Sequence, residues 1–310
     1  MISRSTLIGA LVVVELAIVG AAASALTGGS VFPVMPGLAH LHAKNAGAIG
    51  ANALDRTFTT GYAPAVKVDV GGVKVIVETA NAPTVRVIER FTSHGWLSGN
   101  AAPVVAEQTP EGIRVSTHGD DGVHLVFGEF AHDVRLIVPP NARVEVRSSD
   151  AIDASGLRSK FVGRTSEGRV QVRDHRGDLD VSSDDGRIYL TDVEGNTIAA
   201  NTHSGRLYFD RVAAAKLDAR TEFGKVFASE VRVGDGALST HDGDVFVGFA
   251  SDSDATAVAH PSEDNTVSVR DFPSSTDGTN GRAVRLGGGR GRFAVSTDDG
   301  SIAISQGAHV

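Results

Sequence analysis

Thr202-His203-Ser204-Gly205-Arg206-Leu207-Tyr208-Phe209 is followed, 19 residues on, by Thr221-Glu222-Phe223-Gly224-Lys225-Val226-Phe227-Ala228, a second copy of the same phrase. A hydroxyl residue stands three positions before a glycine, and apolar residues stand two and four positions after it. The phrase begins at Thr165-Ser166-Glu167-Gly168, passes through Ser183-Asp184-Asp185-Gly186 and Thr240-His241-Asp242-Gly243, and closes at Thr297-Asp298-Asp299-Gly300. Gly168, Gly186, Gly205, Gly224 and Gly243 are spaced by 18, 19, 19 and 19 residues, and Gly300 lies 57 further on, three times 19. Asn265-Thr266-Val267-Ser268-Val269 keeps the pattern with Asn for Gly, and Gly281-Arg282 is a degenerate copy.

A second apolar pair precedes each turn: Leu179 and Val181, Ile198 and Ala200, Leu217 and Ala219, Phe293 and Val295, with Leu238 alone in its copy. Each repeat therefore supplies a strand, a tight turn, a second strand and a return loop. That is too little chain to bury a face alone but enough to stack on its neighbours. The expected fold is all-β, a β-solenoid-like stack of two-strand repeats. At a strand spacing of ~4.8 Å, about eight or nine rungs would make a rod roughly 40 Å long. The competing reading is a many-stranded sandwich. Glycine at each turn is expected to supply a left-handed conformation, and the Ser/Thr hydroxyls to bond turn amides.

Outside the repeats the chain divides further. Arg4 precedes an apolar run from Thr6 to Ala25 that ends in Thr27, Gly28, Gly29 and Ser30. Residues 1–30 thus read as an export signal cleaved after Ala23-Ser24-Ala25, or as a hydrophobic transmembrane helix in which Glu15 is costly. Either reading places the rest of the chain outside the cytoplasm. Residues 31–56 read as a linker with one short helix around Leu38–Lys44. Residues 57–147 alternate apolar and polar residues, as in Val66-Lys67-Val68-Asp69-Val70 and Val134-Arg135-Leu136-Ile137-Val138, and form a β-rich N-terminal part. Alone it would pass for a sandwich. The repeats span 148–305 and a tail spans 306–310.

The repeat phrase, entered through Val138-Pro139-Pro140 and Val144-Glu145-Val146-Arg147-Ser148-Ser149-Asp150, resembles the putative-adhesin family of envelope proteins, also called the toast-rack domain. The likeness covers about Thr57 to Ser305. It implies an extracytoplasmic β-repeat module of the cell envelope with no catalytic residues to carry over. Ala151 stands where the template expects Gly, which questions a rung there.

In a solenoid, residues one repeat apart form columns, so function should appear as a column. Arg169, Arg187, Arg206 and Lys225 make a basic one, which Arg282 would extend, with Glu167, Asp184, Asp185 and Glu222 near enough to neutralise it. Tyr189, Tyr208, Phe227 and Phe246 make an aromatic one, pointing away from the core if Leu207 and Phe209 point into it. Stacking alone would justify the aromatic column, and an exposed apolar strip would also suit a partner. Asp184, His203, Glu222 and His241 alternate acid and imidazole at the turns, a weak metal signal, and His118 and His132 lack ligand spacing. No metal or cofactor is expected.

Composition narrows the classes. Net charge −8 argues against a nucleic-acid binder, and zero Cys excludes disulfide scaffolds and cysteine-ligated metals. Asp184-Asp185 and Asp298-Asp299 are acidic doublets, but they occupy the repeating turn, whereas a catalytic centre should break the repeat in one place. Residues 250–292 do break it without a convincing acid, base and nucleophile set. The expected function is non-enzymatic: a scaffold or adhesin-like binding module, its partner an envelope polymer or another envelope protein. The alternatives are a polysaccharide-active enzyme on a β-helix scaffold and an envelope sensor domain.

Overall fold

The computed structural model describes residues 52–97, 103–117, 127–262, 266–270 and 283–307. The signal or anchor segment, the linker up to residue 51 with its expected helix, His118, Asn265, Gly281 and Arg282 lie outside the described residues.

The described chain is all strand, turn and bend. In the N-terminal part come β1 (Asn52–Thr59), β2 (Ala65–Val70), β3 (Lys74–Thr79), β4 (Thr84–Leu97), β5 (Val104–Thr109), β6 (Gly112–Thr117) and β7 (Phe127–Val138). Then follow β8 (Arg143–Ser148), β9 (Ile152–Ser155), β10 (Phe161–Thr165), β11 (Val170–Arg176) and β12 (Leu179–Ser183). Three long strands each serve two rungs: β13 (Ile188–Thr202), β14 (Leu207–Phe223) and β15 (Val226–Asp242). The chain ends in β16 (Val245–Phe249), β17 (Ala255–Pro261), β18 (Val267–Arg270), β19 (Ala283–Arg285), β20 (Gly291–Asp299) and β21 (Ile302–Gln306). β1 begins inside the segment read as linker, so that boundary moves back to Asn52.

Each rung is one strand before the turn and one after it, paired in parallel with the rungs above and below. Before the turn, β8, β10, β12 and the second halves of β13, β14 and β15 stack in register. After the turn, β9, β11, the first halves of β13, β14 and β15, and then β16 do the same. The core lies between these two sheets. Leu207, Phe209, Leu217, Ala219, Val226 and Ala228, all at most 3% exposed, face inward from alternate positions, as the period of two requires.

Both ends depart from chain order. At the C-terminal end β20 pairs with β15 and β21 with β16, while β17 pairs with the far side of β20 and β18 with the far side of β21. The last coil of the sequence is therefore inserted beneath the one before it. Gly300 stacks directly on Gly243, not three rungs away: a Cβ on Gly300 would lie 2.0 Å from the Gly243 carbonyl oxygen. The N-terminal end repeats the device. β2 lies between β6 and β8, and β3 between β7 and β9, so the rung of β6 and β7 is outermost although it comes second in the chain.

Among the described residues the stack thus has ten rungs, and the N-terminal part is continuous with it, not a separate sandwich. Antiparallel strands close the ends: β4 on β7 with β1 outside it, β5 on β6, and β19 on β17. Capping of this kind blocks further parallel pairing. Under the N-terminal cap, Glu89 and His132, 3% and 6% exposed, meet at 2.8 Å, and Glu89 also accepts from the Val104 amide. The rung beginning at β8 and turning at Asp150 and Ala151 is real, so glycine is not essential at its turn.

The turn glycines have a different reason from the one expected. Gly168, Gly186, Gly205 and Gly224 are not among the positive-φ glycines, whereas Gly243 and Gly300, with φ of 146° and 147°, do adopt a backbone that favours glycine. What they share is close approach. A Cβ on Gly186, Gly205 or Gly224 would lie 1.9–2.0 Å from the carbonyl oxygen of the preceding turn glycine. The left-handed corners are instead Asp174, Asp192, Arg211 and Glu230, with φ of 49–54°, one to a rung at the opposite bend.

The hydroxyl column binds the rungs together. Thr202, Thr221 and Thr240 donate to the carbonyls of Gly186, Gly205 and Gly224 on the preceding rung at 2.8–3.0 Å, and Thr297 donates to Gly243 at 2.8 Å. Turn amides are bonded as expected in three rungs, Gly168 to Thr165, Gly186 to Ser183 and Asp150 to Ser148. Ser148 continues the column by donating to the Val73 carbonyl at 2.6 Å. Thr221 is fully buried, so Thr221→Val should cost about 1–3 kcal/mol by orphaning the Gly205 carbonyl. Thr221→Ser should recover most of that in a urea titration.

Candidate functional site

The aromatic column lies on the outer surface of the sheet formed after the turns. Ile188 and Leu190 face inward, so Tyr189 between them faces out, and the same alternation sets Tyr208, Phe227 and Phe246. Parallel in-register pairing places the four on adjacent strands. Their rings are nearly parallel, at 4–8°, with centroids 4.8, 5.3 and 5.2 Å apart. Carbon atoms in facewise contact sit ~3.5–4.0 Å apart, so the rings overlap like shingles, each half-buried by the next with an edge and part of a face open.

The basic column runs beside it, next to the turn. Its ends are neutralised, though not by the acids expected. Arg169 reaches Asp153 at 3.4 Å, which also takes Lys74 at 2.8 Å. Burial raises the Asp153 pKa, but the hydrogen bonds from Lys74 and Arg169 outweigh it and hold the carboxyl below its ordinary value. At the other end Lys225 meets Asp244 at 2.6 Å, and that bond, with the Ser301 amide, lowers the Asp244 carboxyl. Between them Arg187 lies beside Tyr189, whose phenol raises its guanidinium pKa. Among the described residues neither Arg187 nor Arg206 meets a carboxylate within ion-pair distance. Two guanidiniums on adjacent rungs thus remain uncompensated next to Tyr189 and Tyr208.

The acid and imidazole column resolves into pairs: His203 with Glu222 at 2.8 Å and His241 with Asp298 at 2.7 Å, the latter raising the His241 pKa. Glu222 is therefore spent on His203, not on the basic column. The exposed ring of Phe223 lies edge-on between the two histidines. Among the described residues no three such groups converge to hold a metal ion. In the stretch that breaks the repeat, Asp252 and Asp254 are each taken by a different arginine, Arg232 and Arg290.

Residues 164–277 match the family model Toastrack DUF4097. Within the repeats, these residues are similar to a toast-rack domain. Two solved structures are similar to the chain. A putative cell adhesion protein from Clostridium sporogenes ATCC 15579 is 11% identical with a TM-score of 0.30, over 82% of this chain and 99% of that one. A putative adhesin from Bacteroides fragilis NCTC 9343 is 12% identical with a TM-score of 0.45, over 84% and 98%. No curated protein matches. The matched toast-rack segment holds the whole aromatic and basic columns, and the stack continues past it at both ends. Sequence reasoning missed Asp153 and Asp244 as the acids that close the basic column. Asp244 could have been found by extending the column one rung, whereas Asp153 sits in the neighbouring column and reaches across.

Proposed function

We propose that this chain is a non-enzymatic, adhesin-like β-repeat module displayed outside the cytoplasm, held at the cell envelope through residues 1–30. It binds an envelope polymer or an envelope protein along the face shared by the aromatic and basic columns. The observation that carries this reading is the shingled column on an outer face, flanked by Arg187 and Arg206 without carboxylate partners. Stacking explains why the rings sit together but not why two cations beside them go unneutralised. A rigid rod presenting the same contact on successive rungs binds by repetition, each contact weak and the sum strong.

The acids support a non-enzymatic reading. Glu222 and Asp298 of the turn column recur with the repeat and pair with imidazoles, and Asp252 and Asp254 are held by arginines. The test is binding of the protein to isolated envelope polymers and envelope proteins across a salt series. Arg187→Ala with Arg206→Ala should weaken capture and flatten its salt dependence. Unchanged salt dependence would return the basic column to an ordinary solvated surface.

A further inference from the structure

The inverted order of the N-terminal rungs assembles a second charged feature that lies on the other sheet. Arg114 of β6 sits directly opposite Lys67 of β2, which in turn stands opposite Glu145 of β8. Arg143 begins β8, and Lys160 lies beside it, its carbonyl accepting from the Val144 amide. These four cations come from four successive rungs and line one groove of about 660 Å³ beneath the hairpin tip at Thr109–Gly112. Gly112 seats that tip closely, since a Cβ there would lie 2.2 Å from the Ala65 carbonyl oxygen.

The groove's charge is not balanced from within. All four cations are exposed, and among the described residues none has a carboxylate within ion-pair distance. Glu145 is engaged by Arg147 at 3.2 Å instead, leaving Glu111 as the other acid of the lining. Like charges directly opposite on neighbouring strands are destabilising, so Arg114 beside Lys67 is a local cost, which Glu107 opposite Arg114 on β5 and Glu145 opposite Lys67 on β8 offset only in part because neither meets its cation within ion-pair distance. Four rungs at ~4.8 Å place the cations along roughly 14 Å of the rod axis, a length suited to a chain of charges more than to a single ion.

We propose that this groove binds a linear polyanion, whose successive phosphate or carboxylate groups are met by Arg114, Lys67, Arg143 and Lys160. The site is independent of the aromatic face, so either can fail without the other. The experiment titrates the full chain with labelled inorganic polyphosphate and, separately, with polygalacturonate, over a salt series. Binding should weaken by about tenfold or more in Lys67→Ala/Arg114→Ala and in Arg143→Ala/Lys160→Ala, with the logarithmic salt slope falling by about two for each pair. Arg173→Ala/Arg176→Ala, two exposed cations outside both faces, should leave it within about twofold, which separates this groove from general surface charge. Preference for polyphosphate identifies phosphate as the ligand group, and preference for polygalacturonate identifies carboxylate. Binding of neither polymer, or binding that all three double variants leave equal, overturns the proposal. All exchanged side chains are exposed, so unfolding does not confuse the result; circular dichroism of each variant verifies this.

Discussion

Gly205→Ala should destabilise the rod by about 3 kcal/mol, at the upper end for overpacking, while Gly71→Ala should stay within about 0.5 kcal/mol of the parent. The two glycines both sit at rung turns, Gly71 between β2 and β3 and Gly205 between β13 and β14. Their surroundings differ. A Cβ on Gly205 would lie 2.0 Å from the Gly186 carbonyl oxygen and 2.7 Å from the Thr202 hydroxyl, whereas around Gly71 nothing lies within 4 Å. The obstacle at Gly205 is backbone, which cannot rotate away, so relief requires rungs to part. Parting them also stretches the bond from Thr202 to the Gly186 carbonyl. Urea midpoints of the two variants measure the contrast; equal midpoints would mean that the turns are not closely stacked.

Removal of residues 288–310 should cost more than the ~3–5 kcal/mol of truncating Phe293 alone, because it takes away two rungs and not one. β20 and β21 hold β17 and β18 onto the rest of the stack. Without them, among the described residues, β17 keeps only the short antiparallel β19, and β18 loses its partner. Phe249, buried edge-on against Phe293, would become exposed. Hydrogen exchange reads this directly: amides of residues 255–261 and 267–270 should lose protection in the truncated chain. Protection retained there would show that the coils stack in chain order.

These two cases mark what the sequence could and could not reveal. The glycine spacing made the stack legible, along with the inward columns and the outward column at Tyr189, Tyr208, Phe227 and Phe246, because rung period and side-chain alternation are both local. The order of the end rungs was not legible. Gly300 falls at three times the repeat from Gly243, which satisfies either order, and only cross-strand pairing distinguishes them. The groove at Lys67 and Arg114 was hidden for the same reason, since its residues become neighbours through the inversion. The role of the turn glycines was misread because composition names a residue without its surroundings. Positive φ and a close backbone neighbour both select glycine, and the close neighbour is the cause that all six turn glycines share, with positive φ added at Gly243 and Gly300.

The central claim, that the aromatic column is a binding face and not part of the core, is tested most directly by the double variant Tyr208→Ser/Phe227→Ser, followed in parallel by urea unfolding and by capture of envelope polymers and proteins. The rings are half-buried and gain from stacking, so stability should fall modestly, by about 1–3 kcal/mol for the lost stacking and apolar contact, and capture should be abolished. A collapse of the fold, or capture that persists at the parental level, would contradict the account.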